Sequence, residues 1–133
     1  MNAFDMFKTN PELEKSGVAI PYGEFNIIIA RAGGKNRMYA NLLTETFKPH
    51  QRQINNETID PDLMNELMIK VYAKTVVKGW DGIKDSEGKD LEFSAANCIK
   101  LFKELPDLFE DVRAQSTRIG NFRDQVLEDD AKK

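Results

Sequence analysis

Two glycines followed by a lysine, Gly33–Gly34–Lys35, form the run most suggestive of chemistry, because similar runs occur in loops that bind phosphate. Such a loop also needs a glycine five residues before its last glycine and a Ser or Thr after the lysine. This chain has Ile29 and Asn36 at those two places. The run therefore predicts a turn between a strand and a helix.

The acidic segment Asp81–Glu92 has the length of a calcium-binding loop. Counted from Asp81, such a loop requires an oxygen ligand at its third position and a glycine at its sixth. The chain has Ile83 and Ser86 there. We expect a solvated turn and no calcium site.

His50 is the single histidine and Cys98 the single cysteine. These two residues are too few for a structural zinc site, which takes four nitrogen or sulfur ligands. His50 lies in a polar stretch without a nucleophile motif, which is typical of a surface histidine. No catalytic residue, metal site or cofactor is predicted, and we expect a protein that is not an enzyme.

Length and composition indicate one domain over residues 1–133. The chain is 41% hydrophobic and 31% charged, a globular balance. Its net charge of −3 argues against a nucleic-acid partner and favours a protein partner.

No membrane segment or secretory signal is expected. The longest strictly apolar stretch is Ile27–Ala30, far shorter than the ~20 residues that span a bilayer. An unpaired cysteine suits a reducing cytoplasm.

Five basic side chains in the first half of the chain form a mildly basic cluster that could bind an acidic partner, although an ordinary mixed surface is favoured. Its members are Arg31, Lys35, Arg37, Lys48 and Arg52.

These residues must be positioned by an α+β fold that is mostly α. We predict a body of about four helices, an N-terminal β-hairpin as the first ordered element and a second small hairpin near residues 80–93. The hairpins are predicted from short apolar runs that flank turn residues. The first lies at 17–31, where Ile27, Ile28 and Ile29 suit a strand covered on both faces.

Helices are predicted from apolar spacing, caps and breakers. One runs from Arg37 to Phe47 and is capped by Asn36, and a surface connection follows it over 49–59. The other predicted helices are Pro61–Lys78 after Asp60 with Gly79 as its stop, a short helix capped by Ser94, and 107–127 before a frayed tail at 128–133. Predicted core residues are Leu67, Val71, Leu101, Phe102, Phe109, Ile119 and Phe122.

Methionines and aromatic residues are the candidate partner-binding groups. Met38, Met64 and Met68 lie on predicted apolar helix faces, and methionine adapts to irregular partners. Phe4 and Phe7 lie in the N-terminal segment 1–12, which is too apolar for a free tail. We expect this segment to dock on its own domain or to join a second copy in a homo-oligomer.

The order of motifs resembles that of the tail assembly chaperones of long-tailed bacteriophages, from about Leu13 to Phe122. The most specific part is Gly79–Phe93 followed by the Leu105–Pro106–Asp107–Leu108 step. The other motifs are Leu13–Val18, Pro21–Gly23, Ile29–Gly33, Asn36 and Val76–Ile83.

This resemblance implies a protein that binds the tape-measure protein in the host bacterial cytoplasm. It would keep that protein soluble and promote assembly of the tail tube around it. The family also suggests the major tail tube protein and a frameshifted longer form of the chain as partners. Such chaperones are not enzymes.

Two alternatives stay open. One is a structural tail or head–tail joining subunit that is retained in the virion. The other is a small enzyme or regulator that uses Arg31 or His50 at an unrecognised pocket.

Overall fold

A three-stranded antiparallel sheet lies at the centre of the fold, and its strands are paired in the order in which they occur in the chain. The computed structural model describes residues 2–124. The strands are β1 (Val18–Pro21), β2 (Asn26–Ile29) and β3 (Val77–Asp81).

Strands β1 and β2 form the predicted N-terminal hairpin, with Val18 opposite Ile29. Pro21 ends the edge strand β1, where its missing N–H leaves no ladder bond unmade. Ile27 and Ile29 are fully buried, and Ile28 on the other face is half-buried. The strand was found where predicted, but only the face of Ile27 and Ile29 is fully covered, and the face of Ile28 is covered in part.

Helices cover the sheet, and the predicted α+β, mostly helical class is confirmed. Four helices have ten or more residues, which matches the predicted body. The helices are α1 (Ala3–Phe7), α2 (Pro11–Ser16), α3 (Arg37–Phe47), α4 (Gln51–Asn55), α5 (Pro61–Thr75), α6 (Ala95–Glu104) and α7 (Pro106–Ser116).

Two helix starts follow the predicted capping chemistry. The Asp60 side chain accepts a hydrogen bond from the Asp62 amide, and Pro61 occupies the first turn of α5. The Ser94 hydroxyl accepts one from the Asn97 amide at 3.0 Å at the start of α6. Each side chain satisfies an amide that the helix leaves unpaired.

The predicted end of α5 was wrong. The helix stops at Thr75 instead of Lys78, and Gly79 lies inside β3 opposite Ile28. The Ala30 amide donates to the Val76 carbonyl at 2.7 Å, so the chain passes directly from α5 into the sheet. The apolar spacing of α5 continues to Val76, but pairing with β2 determines the conformation of the residues that follow.

The chain reverses near residues 80–93 as predicted, but its first arm pairs with β2 through β3. Backbone pairing within the reversal is a single bridge between Lys84 and Asp90. The Asp85 carboxylate accepts from the Glu87 and Lys89 amides and so shapes the turn. Gly88 has the expected positive φ of 81°.

The structure contains short helices in two segments where none was predicted. Two short helices, α1 and α2, precede the hairpin because Asn2 and Asn10 cap them. The predicted surface connection at 49–59 contains a 3₁₀ turn, Lys48–His50, and α4.

The helix predicted over 107–127 ends at Ser116. The Ser116 and Thr117 hydroxyls both bond to the Arg113 carbonyl and compete with helix continuation. A 3₁₀ turn, Ile119–Phe122, follows. Residues 125–127 and the tail at 128–133 lie outside the described residues.

The core is built where α5 packs against α3, α6 and β3. Four predicted core residues are buried: Val71, Phe102, Phe109 and Phe122. The other three, Leu67, Leu101 and Ile119, are only partly buried. The second half of α5 is buried around most of its circumference, so Ile69 is buried in place of Leu67.

Candidate functional site

An open apolar groove lies between α3, α4 and α5, with a volume of about 610 Å³. Its apolar lining comprises Leu43, Phe47, Ile54, Met64 and Met68. Thr44, Lys48 and Gln51 complete the rim. We call this surface the α3–α5 groove.

Helical spacing produces the two walls of the groove. Leu43 and Phe47 are four residues apart on α3, and Met64 and Met68 are four apart on α5, so each pair lies on one face. Ile54 of α4 adds a further apolar side chain to the lining. Sequence spacing identified the two methionines, whereas Ile54 was missed because its segment was predicted to be an irregular connection.

The other predicted anchors lie elsewhere. Met38 is 59% exposed at the start of α3 and lines a separate concavity. Phe4 and Phe7 are 77% and 64% exposed on α1, where they line a shallow surface with Ala3. The structure brings Met64 and Met68 together and leaves the remaining three apart from them.

The segment containing Phe4 and Phe7 is attached to its own domain through its backbone. An Arg123 guanidinium nitrogen donates to the Met6 carbonyl at 2.9 Å. The aromatic side chains nevertheless face outward, and self-association through them stays a prediction.

Deleting residues 1–8 is expected to lower the sedimentation coefficient by more than the lost mass, because the deletion removes the exposed Phe4 and Phe7 surface. The measurement is sedimentation velocity over a range of protein concentrations. Phe4→Ser with Phe7→Ser is a milder variant that keeps the chain length. An unchanged coefficient after correction for mass would contradict pairing through α1.

A buried carboxylate was not foreseen from the sequence. Glu14 of α2 is 2% exposed and accepts hydrogen bonds from the Thr9 hydroxyl at 2.6 Å, the Arg31 guanidinium at 2.6 Å and the Lys35 amide at 2.8 Å. Burial by itself raises the pKa of Glu14, but these hydrogen bonds and the Arg31 charge together hold the pKa below its usual value.

Glu14 thereby fixes the Gly33–Gly34–Lys35 loop, which is the predicted turn between a strand and a helix. Gly34 has a φ of 54°, and a Cβ there would lie 2.8 Å from a Glu14 carboxylate oxygen. The loop therefore needs glycine both for its conformation and for space. The loop does bond to an anionic group through the Lys35 amide, but that group is the Glu14 carboxylate of the same chain and not a bound phosphate.

Asn36 does not cap α3 with its side chain as predicted. The side chain is buried and donates to the Arg31 carbonyl and the Thr75 carbonyl, each at 2.9 Å. It links the β2–α3 loop to the end of α5. This bond pattern is tertiary, so the local sequence carried no signal for it.

Residues considered for catalysis or metal binding lie apart. The His50 ring is 3.4 Å from the Gln53 side-chain oxygen, and Cys98 is buried, which raises the pKa of its thiol to about 12. Within residues 2–124 no group of three His, Cys, Asp or Glu side chains is placed to hold a metal. No helix in this range has the length and apolar character needed to cross a bilayer.

The sequence match is to a phage-associated family. The family model described as the YdaY prophage protein matches residues 34–133, well over half of the chain. The chain therefore belongs to this family of prophage proteins. No curated protein and no solved structure gives a significant match.

Proposed function

We propose that this prophage-family protein is a tail assembly chaperone that binds the tape-measure protein in the host bacterial cytoplasm. The observation that carries the proposal is the α3–α5 groove, which presents an apolar surface on a chain of net charge −3. Membership of a prophage family and the resemblance to phage tail chaperones support the same role.

The groove suits an amphipathic helix. Such a helix inserts side chains spaced at i, i+3 and i+4 into a groove between two helices. Met64 and Met68 give one wall an unbranched, polarizable surface that can repack around different side chains. A chaperone must accept many similar apolar segments, and an adaptable wall serves that purpose better than a rigid one.

Apolar contact should supply most of the affinity. Pairs of exposed charges contribute only ~0–1 kcal/mol each, whereas burial of apolar area is the dominant favourable term in association. The rim offers one cation, Lys48, and two neutral polar groups, Thr44 and Gln51. In this role the protein works by binding, without a catalytic step or a cofactor.

Co-expression with the tape-measure protein of the same prophage is expected to raise the soluble fraction of that protein. Met64→Asp with Met68→Asp should abolish the gain, because two carboxylates would have to be desolvated in the groove. The measurement is the ratio of soluble to total tape-measure protein after centrifugation. Circular dichroism confirms that the variant still folds.

Leu105→Asp is the control for placing an aspartate at an apolar position outside the groove. Leu105 is 48% exposed and lies between α6 and α7, away from the groove. This control should retain the chaperone effect. If the wild-type chain gives no gain in solubility, the proposal is wrong, and stoichiometric recovery of the chain from mature tails would favour the structural-subunit alternative.

A further inference from the structure

A cationic concavity of about 450 Å³ lies at the opposite end of α3 from the α3–α5 groove. Its charged lining comes from three parts of the fold: the end of α2, the β2–α3 loop with the start of α3, and β3. The lining residues are Lys15, Lys35, Asn36, Arg37, Met38 and Lys78.

The four positive charges of this concavity are not neutralised within the described residues. None of the ion pairs found in residues 2–124 involves Lys15, Lys35, Arg37 or Lys78. The neighbouring acid, Glu14, is buried and pairs with Arg31. Four like charges around one concavity repel one another, and an anionic ligand would relieve that repulsion.

The frame of the concavity is rigid. The buried Asn36 amide ties the start of α3 to the Arg31 and Thr75 carbonyls, and Glu14 ties down the Lys35 amide. Cations held on a fixed frame bind an anion with less loss of conformational entropy than cations on a loose loop.

The start of α3 also favours an anionic ligand. Its first turn contains no acidic residue, and Asn36 makes no side-chain cap bond there. The Arg37 amide already donates to the Lys35 carbonyl at 3.0 Å, so the Met38 and Tyr39 amides are the ones left for an incoming acceptor. The four cationic side chains remain the main source of the attraction.

The lining favours a peptide over a nucleic acid. Met38, 59% exposed, places an apolar contact beside the charges, and the residues that line the concavity include no aromatic ring on which a base could stack. The net charge of −3 also disfavours a long polyanion. Carboxylates flanking an apolar side chain match both parts of the lining.

We propose that the cationic concavity is a docking site for an acidic peptide segment of a protein partner, with glutamate or aspartate on the lysines and an apolar residue on Met38. The site is separate from the α3–α5 groove and extends the protein's role beyond tape-measure binding. Electrostatic attraction should make this contact weaken steeply with salt.

The test is fluorescence anisotropy of the full-length chain with a fluorescein-labelled Glu-Glu-Leu-Glu-Glu-Leu peptide at about 50 mM salt. We expect Lys35→Glu with Lys78→Glu to weaken binding by about tenfold or more, because both changes reverse the charge at the contact. The matched control, Lys89→Glu with Lys100→Glu, makes the same change in net charge at exposed positions outside the concavity and should bind like wild type.

A second measurement does not depend on variants. Addition of the peptide to the ¹⁵N-labelled wild-type chain should shift the amide signals of Gly34 to Met38 and of Lys78. Equal weakening in both double variants, shifts located elsewhere, or absence of binding would overturn the proposal. Tighter binding of a six-nucleotide single-stranded DNA than of the peptide would also overturn it and assign the concavity to nucleic acid.

Failure here can be told apart from failure of the chaperone role. The Lys35→Glu and Lys78→Glu changes leave the α3–α5 groove intact, so their variant should still solubilise the tape-measure protein. Met64→Asp with Met68→Asp should in turn retain peptide binding.

Discussion

Replacing Phe109 with alanine is expected to lower the free energy of unfolding by about 3–5 kcal/mol. Phe109 of α7 is buried and joins three helices, since its ring lies 5.4 Å from that of Tyr72 on α5 and 5.1 Å from that of Phe102 on α6. The guanidinium of Arg113 also lies over the ring, 5.5 Å from its centre. Alanine would leave a cavity and remove these contacts together.

Urea unfolding monitored by circular dichroism measures this loss. Typical domains have only about 5–15 kcal/mol of stability, so Phe109→Leu, a smaller truncation, is the variant to use if Phe109→Ala does not fold. The control is Leu105→Ala at an exposed apolar position directly before α7, which should change stability by less than about 1 kcal/mol. A loss at Phe109 no larger than that of the control would show that α7 is not part of the core.

Local signals in the sequence predicted the parts of the fold that depend on neighbouring residues. Caps at Asp60 and Ser94, the proline at the start of α5 and a strand at the isoleucines of β2 were all found where expected. Each of these features is determined within a few residues, so a single sequence contains the necessary information.

Features that depend on distant residues were missed. Val77 begins a strand because β2, about fifty residues earlier, offers an edge, and nothing next to Val77 indicates this pairing. The burial of Glu14 was not predicted, because its partners Arg31 and Lys35 come from another part of the chain. Asn36 had the sequence context of a cap, yet its side chain bonds to the Thr75 carbonyl.

The candidate site was predicted in part for the same reason. The i, i+4 spacing of Met64 and Met68 placed them on one face of α5, and the structure shows that this face borders a groove. Met38 lies at the start of α3, whereas the part of α3 that lines the groove is its end. In the structure Met38 lies beside lysines instead, which spacing alone could not indicate.

Replacing Arg31 with methionine is expected to destabilise the chain by about 3–5 kcal/mol at pH 7, because the change leaves the buried Glu14 carboxylate without its cation. Thr9 and the Lys35 amide would remain as its partners. The double variant Arg31→Met with Glu14→Gln should recover part of the loss, since it removes the uncompensated charge. A double-mutant cycle by urea unfolding measures the coupling.

The pH dependence separates charge from packing. In the wild type the folded pKa of Glu14 lies below its usual value near 4.5, so this carboxylate contributes stability above that pH and loses it as the pH falls through the folded pKa. In Arg31→Met the pKa of Glu14 should be higher than in the wild type, because burial still raises it while the hydrogen bond and the charge of Arg31 no longer lower it. Protonation then removes the buried charge at a higher pH than in the wild type.

The difference in stability between wild type and Arg31→Met should therefore shrink as the pH falls from about 7 toward about 4. The same difference measured in the Glu14→Gln background should stay nearly constant, since no carboxylate titrates there. A difference that is independent of pH in both backgrounds would mean that Arg31 acts through the packing of its side chain, and that Glu14 does not need a cation to remain buried beside Gly34.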